Sequence, residues 1–190
     1  MDQKARQIKY LDHNQVERLL RVIHTPRDRA MFEIGFHRGL RVSELGMLRM
    51  EDYRRDSGRL YVTRAKGSIS GEYPLLKRER AALNAWLKVR GDAPGCIFPS
   101  RLGSPISQQR VDVMTKRFFR LAGLPADRAH FHTLRHSCAV WLLEQDRDLL
   151  EIQDHLGHAS ITNTAIYARV SPVRRERMAK DIEAGVTKRR

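Results

Sequence analysis

Apolar positions recur along most of the chain at helical spacing. Val16, Leu19, Leu20 and Ile23 share one face behind a cap signal made by Asp12 and Gln15, which predicts a first helix over roughly residues 13–23. Pro26 suits the opening turn of a second helix, Met31 and Ile34 with Leu40 beyond it supply core contacts, and Gly39 offers a left-handed stop. Ser43 then caps a short helix, Glu44 to Met50, with Leu45 and Leu48 turned inward, so Arg41 is fixed at a helix junction. From Arg59 the pattern becomes extended. Leu60 to Thr63 and Glu72 to Leu76 read as the arms of a β-hairpin with Lys66 near its tip. Ala81, Leu83, Trp86 and Leu87 restore the helical period, and the Gly/Pro-rich stretch from Gly91 to Pro105 is a crossing loop around Ile97-Phe98. Val111, Met114, Phe118 and Leu121 predict a helix ended by Gly123 and Pro125, followed by a central helix from His132 to Gln145. A shorter helix, Leu149 to Leu156, is halted by Gly157, and Ser160 or Thr162 caps a turn carrying Tyr167. Pro172 opens a last segment in which Met178, Ile182 and Val186 recur every four residues. The pattern gives a mainly α fold with one small antiparallel β-sheet and no internal repeat.

Composition narrows the function classes. A chain of 190 residues is one compact domain, long enough to bury roughly 70% of its unfolded surface. No run approaches the ~18 to 20 apolar residues of a membrane span, and Met1 to Tyr10 does not resemble a signal peptide, so membrane and secreted classes drop out. Cys96 and Cys138 lie far apart without metal or redox spacing; they read as buried small residues, and a reducing cytoplasm is the expected location. Lysine and arginine number 36 against 22 acidic residues, a net charge of +14 spread along the chain, which points to an anionic partner, nucleic acid above all. The bland alternative is charge that serves solubility alone.

Four features share one chemistry: Arg41 at its junction, Lys66 on the hairpin tip, His132-Thr133-Leu134-Arg135-His136 opening a helix, and Leu156-Gly157-His158 with Tyr167 nine residues after the histidine. Singly, each reads as an ordinary solvated charge or core aromatic. Together they suit a phosphodiester. His132 and Arg135 are three apart and project to one helical face; Arg135 can fork onto two phosphate oxygens while Arg41 clamps the same group from the opposite side. In-line attack adds negative charge at phosphorus, which preorganised Arg, His and Lys donors offset. A phenol of pKa about 10 is a poor nucleophile, but a cationic pocket favours its phenolate and a nearby imidazole can accept its proton, a role that fits Tyr167. Lys66 can protonate the departing ribose oxygen.

Through Gly39-Leu40-Arg41-Val42-Ser43-Glu44-Leu45, Ala65-Lys66-Gly67, His132-Thr133-Leu134-Arg135-His136, Leu156-Gly157-His158 and Ile166-Tyr167, the chain resembles the tyrosine recombinase, or phage integrase, family over essentially its whole length. That resemblance implies the family's catalytic-domain fold and metal-independent, cofactor-free, site-specific recombination of double-stranded DNA. Arg41, Lys66, His132, Arg135 and His158 would surround the scissile phosphate; Tyr167 would form a 3′-phosphotyrosyl link and free a 5′-hydroxyl, with Glu44 as the acid behind them. Residues 1–170 form the expected catalytic domain and 171–190 a C-terminal helix and basic tail. Family members carry an N-terminal DNA-clamping domain; only about ten residues precede the first helix here, so the expectation is a catalytic domain alone, either naturally short, like the fimbrial phase-switch invertases, or an excised fragment. The Met178, Ile182 and Val186 stripe either folds back on its own domain or packs into a neighbour, giving a monomer or weak oligomer in solution and a tetramer on paired DNA sites.

Three alternatives stay open on residues alone. His132, His136, His155 and His158 could converge on zinc, although Arg135 sits between the first pair and His136 and His155 read more simply as packing or hydrogen-bonding residues. The basic surface could bind DNA without cutting it. Relaxation of supercoils, as in type IB topoisomerases, needs much of the same chemistry.

Overall fold

A computed structural model describes residues 8–168 and 172–185. Among these, helices α1 (His13–Arg21), α2 (Pro26–His37), α3 (Val42–Met47), α4 (Lys77–Arg90), α5 (Gln108–Leu121), α6 (His132–Glu144), α7 (Leu149–Leu156), α8 (Thr162–Ala168) and α9 (Pro172–Glu183) accompany one sheet of β1 (Tyr53–Arg54), β2 (Arg59–Val62) and β3 (Gly71–Pro74). The fold is mainly α with a small antiparallel sheet.

Helices α2 and α6 form the centre and pack on each other; α1, α3 and α4 lie against α2, and α1, α7 and α8 against α6. Every residue from Ala30 to His37 in α2 is buried, so the helix has no solvated side. Its two polar members are satisfied: the Glu33 carboxylate accepts from Arg29 at 2.6 Å and Arg78 at 2.9 Å, and the Glu33 carbonyl meets His37 Nδ1 at 2.9 Å. Asp12 and Gln15 form the reciprocal cap of α1 at 2.8 and 3.1 Å. Val16, Leu19 and Leu20 are buried, each contributing about 2 kcal/mol. The helix ends two residues before the predicted limit, but Ile23 still reaches the core.

The hairpin is present with Lys66 in its turn, and it gains a strand that periodicity did not predict. Tyr53 faces Leu60 across β1 and β2, and Leu60 faces Tyr73 across β2 and β3. Two residues cannot display a period of two, which hides β1 from pattern reading. The third helix also differs. It spans Val42–Met47 with Arg41, not Ser43, at its N-cap, because the Glu44 carboxylate takes the Arg41 backbone N–H at 2.9 Å. The crossing loop is as expected: Ile97 and Phe98 are buried, and Ile97 N–H donates to Leu48 O at 2.8 Å.

Two glycine stops aim the chain at one place. At the end of α2, Gly39 has φ 55°, Leu40 N–H reaches back to Gly35 O at 2.9 Å, and a Cβ on Gly39 would lie 2.4 Å from Leu156 Cδ2. At the end of α7, Gly157 has φ 66°, His158 N–H reaches Gln153 O at 2.9 Å, and a Cβ would lie 2.5 Å from Ile69 O. Both require the left-handed, side-chain-free cap that glycine supplies.

Helix α9 lies against α6, but the described members of its stripe are not covered. Arg177 ties the helix to the end of α6 through Asp146 at 2.6 Å, whereas Met178 and Ile182 are 62% and 69% exposed. Val186 and the basic Lys188-Arg189-Arg190 end lie outside the described residues. Among the described residues no helix is long and apolar enough to cross a membrane, and Cys96 and Cys138 are free and buried.

Candidate active site

One carboxylate organises the cations. Glu44, fully buried, accepts from the Arg41 side chain at 2.6 Å, Arg64 Nη1 at 3.0 Å and the Ala65 N–H at 3.2 Å, with Arg135 Nη1 at 3.7 Å. Burial alone would raise its pKa, but the Arg41 N–H and the Arg64 and Arg41 guanidinia hold the carboxyl below its ordinary value. Three guanidinium charges thus share one negative charge. The excess is positive, and the Arg64 and Arg135 parts of it are buried, which prepares the place for an anion.

Arg41 is part-exposed, and its Nη1 also donates to Ser68 Oγ at 3.0 Å in the hairpin turn. Arg135 is 1% exposed. Its Nη1 and Nη2 donate to Gly39 O at 2.6 Å and Leu156 O at 2.9 Å, the carbonyls beside the two glycine stops. The expected open fork is therefore a half-occupied one, with one further hydrogen left on each terminal nitrogen. Burial, then the neighbouring Arg41 charge, lowers its pKa to about 10, which leaves it cationic at neutral pH.

His132 stands exposed at the head of α6, and its ring meets His136 edge-on at 4.5 Å between centroids. Desolvation and the charges of Arg135 and Arg41 lower its pKa. His158, buried, shares a hydrogen bond of 2.9 Å between Nδ1 and Thr164 Oγ1; burial and then Arg135, Arg41 and Arg64 push it down to about 4. Both shifts favour the neutral imidazole at pH 7. An antiparallel bridge joins Ser68 to His158, and Ile69 N–H donates to Gly157 O at 2.9 Å, so the Lys66 turn is stitched to the α7–α8 junction. Lys66 itself is exposed and makes no hydrogen bond or ion pair with the described residues.

Tyr167 corrects one expectation. The phenol is 2% exposed, and burial pushes its pKa up to about 12, more than Arg135 and Arg41 pull it down. The pocket stores the neutral phenol, not a phenolate. Its hydroxyl lies 2.9 Å from His136 Nδ1.

Sequence reading missed Arg64, whose side chain is buried against Glu44 and donates from Nη2 to Arg38 O at 3.0 Å and His155 O at 2.7 Å. Among 36 basic residues only its place two residues beyond β2, in step with buried Leu60 and Val62, hinted at burial. The four imidazoles do not converge. His155 Nε2 contacts His37 O at 2.7 Å, His158 turns to Thr164, and no group of three or more His, Cys, Asp or Glu among the described residues is placed to hold a metal ion.

Known proteins resemble this chain in sequence and in fold. The profile of the phage integrase family matches residues 9–174. The chain is 40% identical over 145 residues to "Tyrosine recombinase XerC" of Xanthomonas axonopodis pv. citri (strain 306), covering 76% of this chain and 47% of the relative. It is 34% identical over 166 residues to "Type 1 fimbriae regulatory protein FimB" of Escherichia coli (strain K12), covering 83% and 82%. It thus spans about half the length of the XerC relatives it matches. Among solved structures, XerA recombinase superposes with a TM-score of 0.80 at 25% identity over 90% of this chain and 64% of that one. XerH recombinase in a post-cleavage complex with palindromic difH DNA also gives 0.80, at 26% identity, over 96% and 56%.

Proposed function

Because the chain belongs to the phage integrase family, we propose that it cuts and rejoins double-stranded DNA at specific sites through a 3′-phosphotyrosyl intermediate on Tyr167. The observation that supports this most is the arrangement of Arg41 and Arg135 on the buried Glu44 hub, with His158 beside them and Tyr167 on the adjacent helix. In this reading the scissile phosphate sits against the free hydrogens of Arg41 and Arg135, with His132 and His158 as flanking donors once the anion has raised their pKa values. The Tyr167 oxygen attacks phosphorus, the P–O5′ bond breaks, and the phenol proton passes to a nearby neutral imidazole and on to water. Lys66 delivers a proton to the leaving 5′-oxygen. Reversal with a different 5′-hydroxyl rejoins the strand.

The guanidinium, imidazole and ammonium donors supply the charge that the transition state needs, so cleavage proceeds in excess chelator. Two duplexes are exchanged within a tetramer assembled on paired sites from protomers that are monomeric or weakly associated in solution, and the reaction takes place on cytoplasmic DNA. Inversion is one outcome, as the resemblance to the fimbrial phase-switch invertases implies. The test begins with nicked duplexes carrying randomised flanks. Selection for capture that survives detergent yields the target sequence, and transfer of the captured strand to a second duplex separates recombination from relaxation. No captured DNA, or capture that strictly needs a divalent ion, contradicts the proposal.

A further inference from the structure

His136 is absent from the roles assigned above, yet it is the residue that touches the nucleophile. Its Nδ1 lies 2.9 Å from Tyr167 Oη, and among the described residues this is the hydrogen bond that the buried phenol makes. The other side of the same ring packs edge-on against His132, one turn earlier on α6, and Arg135 is its chain neighbour. Tyr167 rides on α8, whereas the phosphate cradle is built by α3, α6 and the α7–α8 junction. The imidazole is the polar link from the reacting oxygen to the helix that carries Arg135.

We propose that His136 is the positioning residue of the nucleophile: the lone pair on its Nδ1 receives the Tyr167 hydroxyl and aims the phenol oxygen at the phosphate. This rests on the assignment of Tyr167 as nucleophile. Tyr167 O–H is the donor, which requires His136 to be neutral with its proton on Nε2. Burial and then the nearby His132 and Arg135 lower the imidazole pKa to about 4, which keeps that lone pair free at neutral pH. A buried phenol without its acceptor would rotate or shift to regain one, and a displacement of about 1 Å at a reacting atom slows chemistry on the order of 100-fold.

Two measurements test this. In the first, the free protein is labelled with 15N histidine, and the ring nitrogens of His136 are followed by NMR. The proposal expects a neutral Nε2–H tautomer whose Nδ1 resonance shifts in Tyr167→Phe. An Nδ1–H tautomer, or a resonance indifferent to Tyr167→Phe, overturns it without any DNA present. In the second, single-turnover cleavage of the selected nicked duplex is compared with its binding affinity in His136→Phe and His136→Asn. The Phe variant is expected to bind within threefold of wild type and to cleave about 100-fold more slowly; Asn, whose side-chain oxygen can accept in place of Nδ1, recovers at least tenfold of that loss, with an unaltered pH profile. Cleavage by the Phe variant at or above the wild-type rate, or no recovery in Asn, overturns the proposal. Wild-type protein that forms no adduct at Tyr167 overturns the nucleophile assignment instead, and the tautomer measurement still decides the contact.

Discussion

Two backbone carbonyls and a carboxylate leave the Arg135 guanidinium little rotamer freedom, so its remaining hydrogens are aimed before substrate arrives. Lysine can reach neither both carbonyls nor two phosphate oxygens. Arg135→Lys is expected to lower single-turnover cleavage by two to three orders of magnitude, about 3 to 4 kcal/mol, while binding of the selected duplex changes far less; a rate within tenfold of wild type contradicts the role. For Lys66 the argument concerns a proton. A 5′-bridging sulfur leaves without protonation, so Lys66→Ala, slow on ordinary DNA, should approach the wild-type rate on the sulfur substrate. No recovery there removes Lys66 as the acid. At this scale the placement of the motif residues was legible from their spacing: His132 and Arg135 open one helix, and Arg41 follows a glycine stop. The state of Tyr167 was not legible. Whether a phenol in a basic chain ionises depends on the balance of burial against charge, and burial at Tyr167 is set by α6 and α8 packing across about thirty residues of sequence.

Among the elements, the α7–α8 junction holds most of the site together. Gly157 lets α7 end in a left-handed turn, passes close to Ile69 O and Arg64, and leads directly into His158 and the bridge to Ser68. Gly157→Ala combines a positive φ with a contact to backbone that cannot yield, so a loss of more than about 1 kcal/mol in stability is expected, with cleavage falling further than stability alone explains as the Lys66 turn moves. Chemical denaturation and single-turnover rates measured together check this; an unchanged rate in the folded variant contradicts the stitching. Helices with three or more periodic apolar residues were legible within a few positions. The start of α3 was not, because Glu44 rather than Ser43 supplies the cap, and the same carboxylate had to be known to bind Arg64 and Ala65 from the connection between β2 and β3. Such contacts are set by tertiary structure, and local propensity is silent about them.

At the level of the whole molecule, protonation and charge give broad tests. His37, His136, His155 and His158 all have pKa values lowered to about 4. Between that value and the ordinary 6.5 the unfolded chain binds protons that the folded one refuses, so stability is full above pH 6.5 and is lost as pH falls toward 4. Glu79, raised to about 7 by burial against the pull of Arg38, works in the opposite direction, as do Glu144 and Asp52, which burial also raises, but the four histidines outnumber these three carboxyls. The thermal unfolding midpoint should therefore drop between pH 7 and 5, and a flat or rising midpoint contradicts the neutral-histidine core. Exposed Met178 and Ile182 set a second test: Met178→Asp with Ile182→Asp should leave the unfolding midpoint unchanged but impair assembly on paired sites, seen by sedimentation with the selected DNA. Unimpaired assembly removes α9 from the contact between protomers. The central claim is the ester on Tyr167, and the most direct measurement is mass spectrometry of the peptide left attached to captured DNA after protease and nuclease digestion. The result predicted is a nucleotide on Tyr167 through its 3′-phosphate, absent from Tyr167→Phe protein that still binds the duplex; a nucleotide on any other residue, or an adduct that persists in the Phe variant, would contradict it.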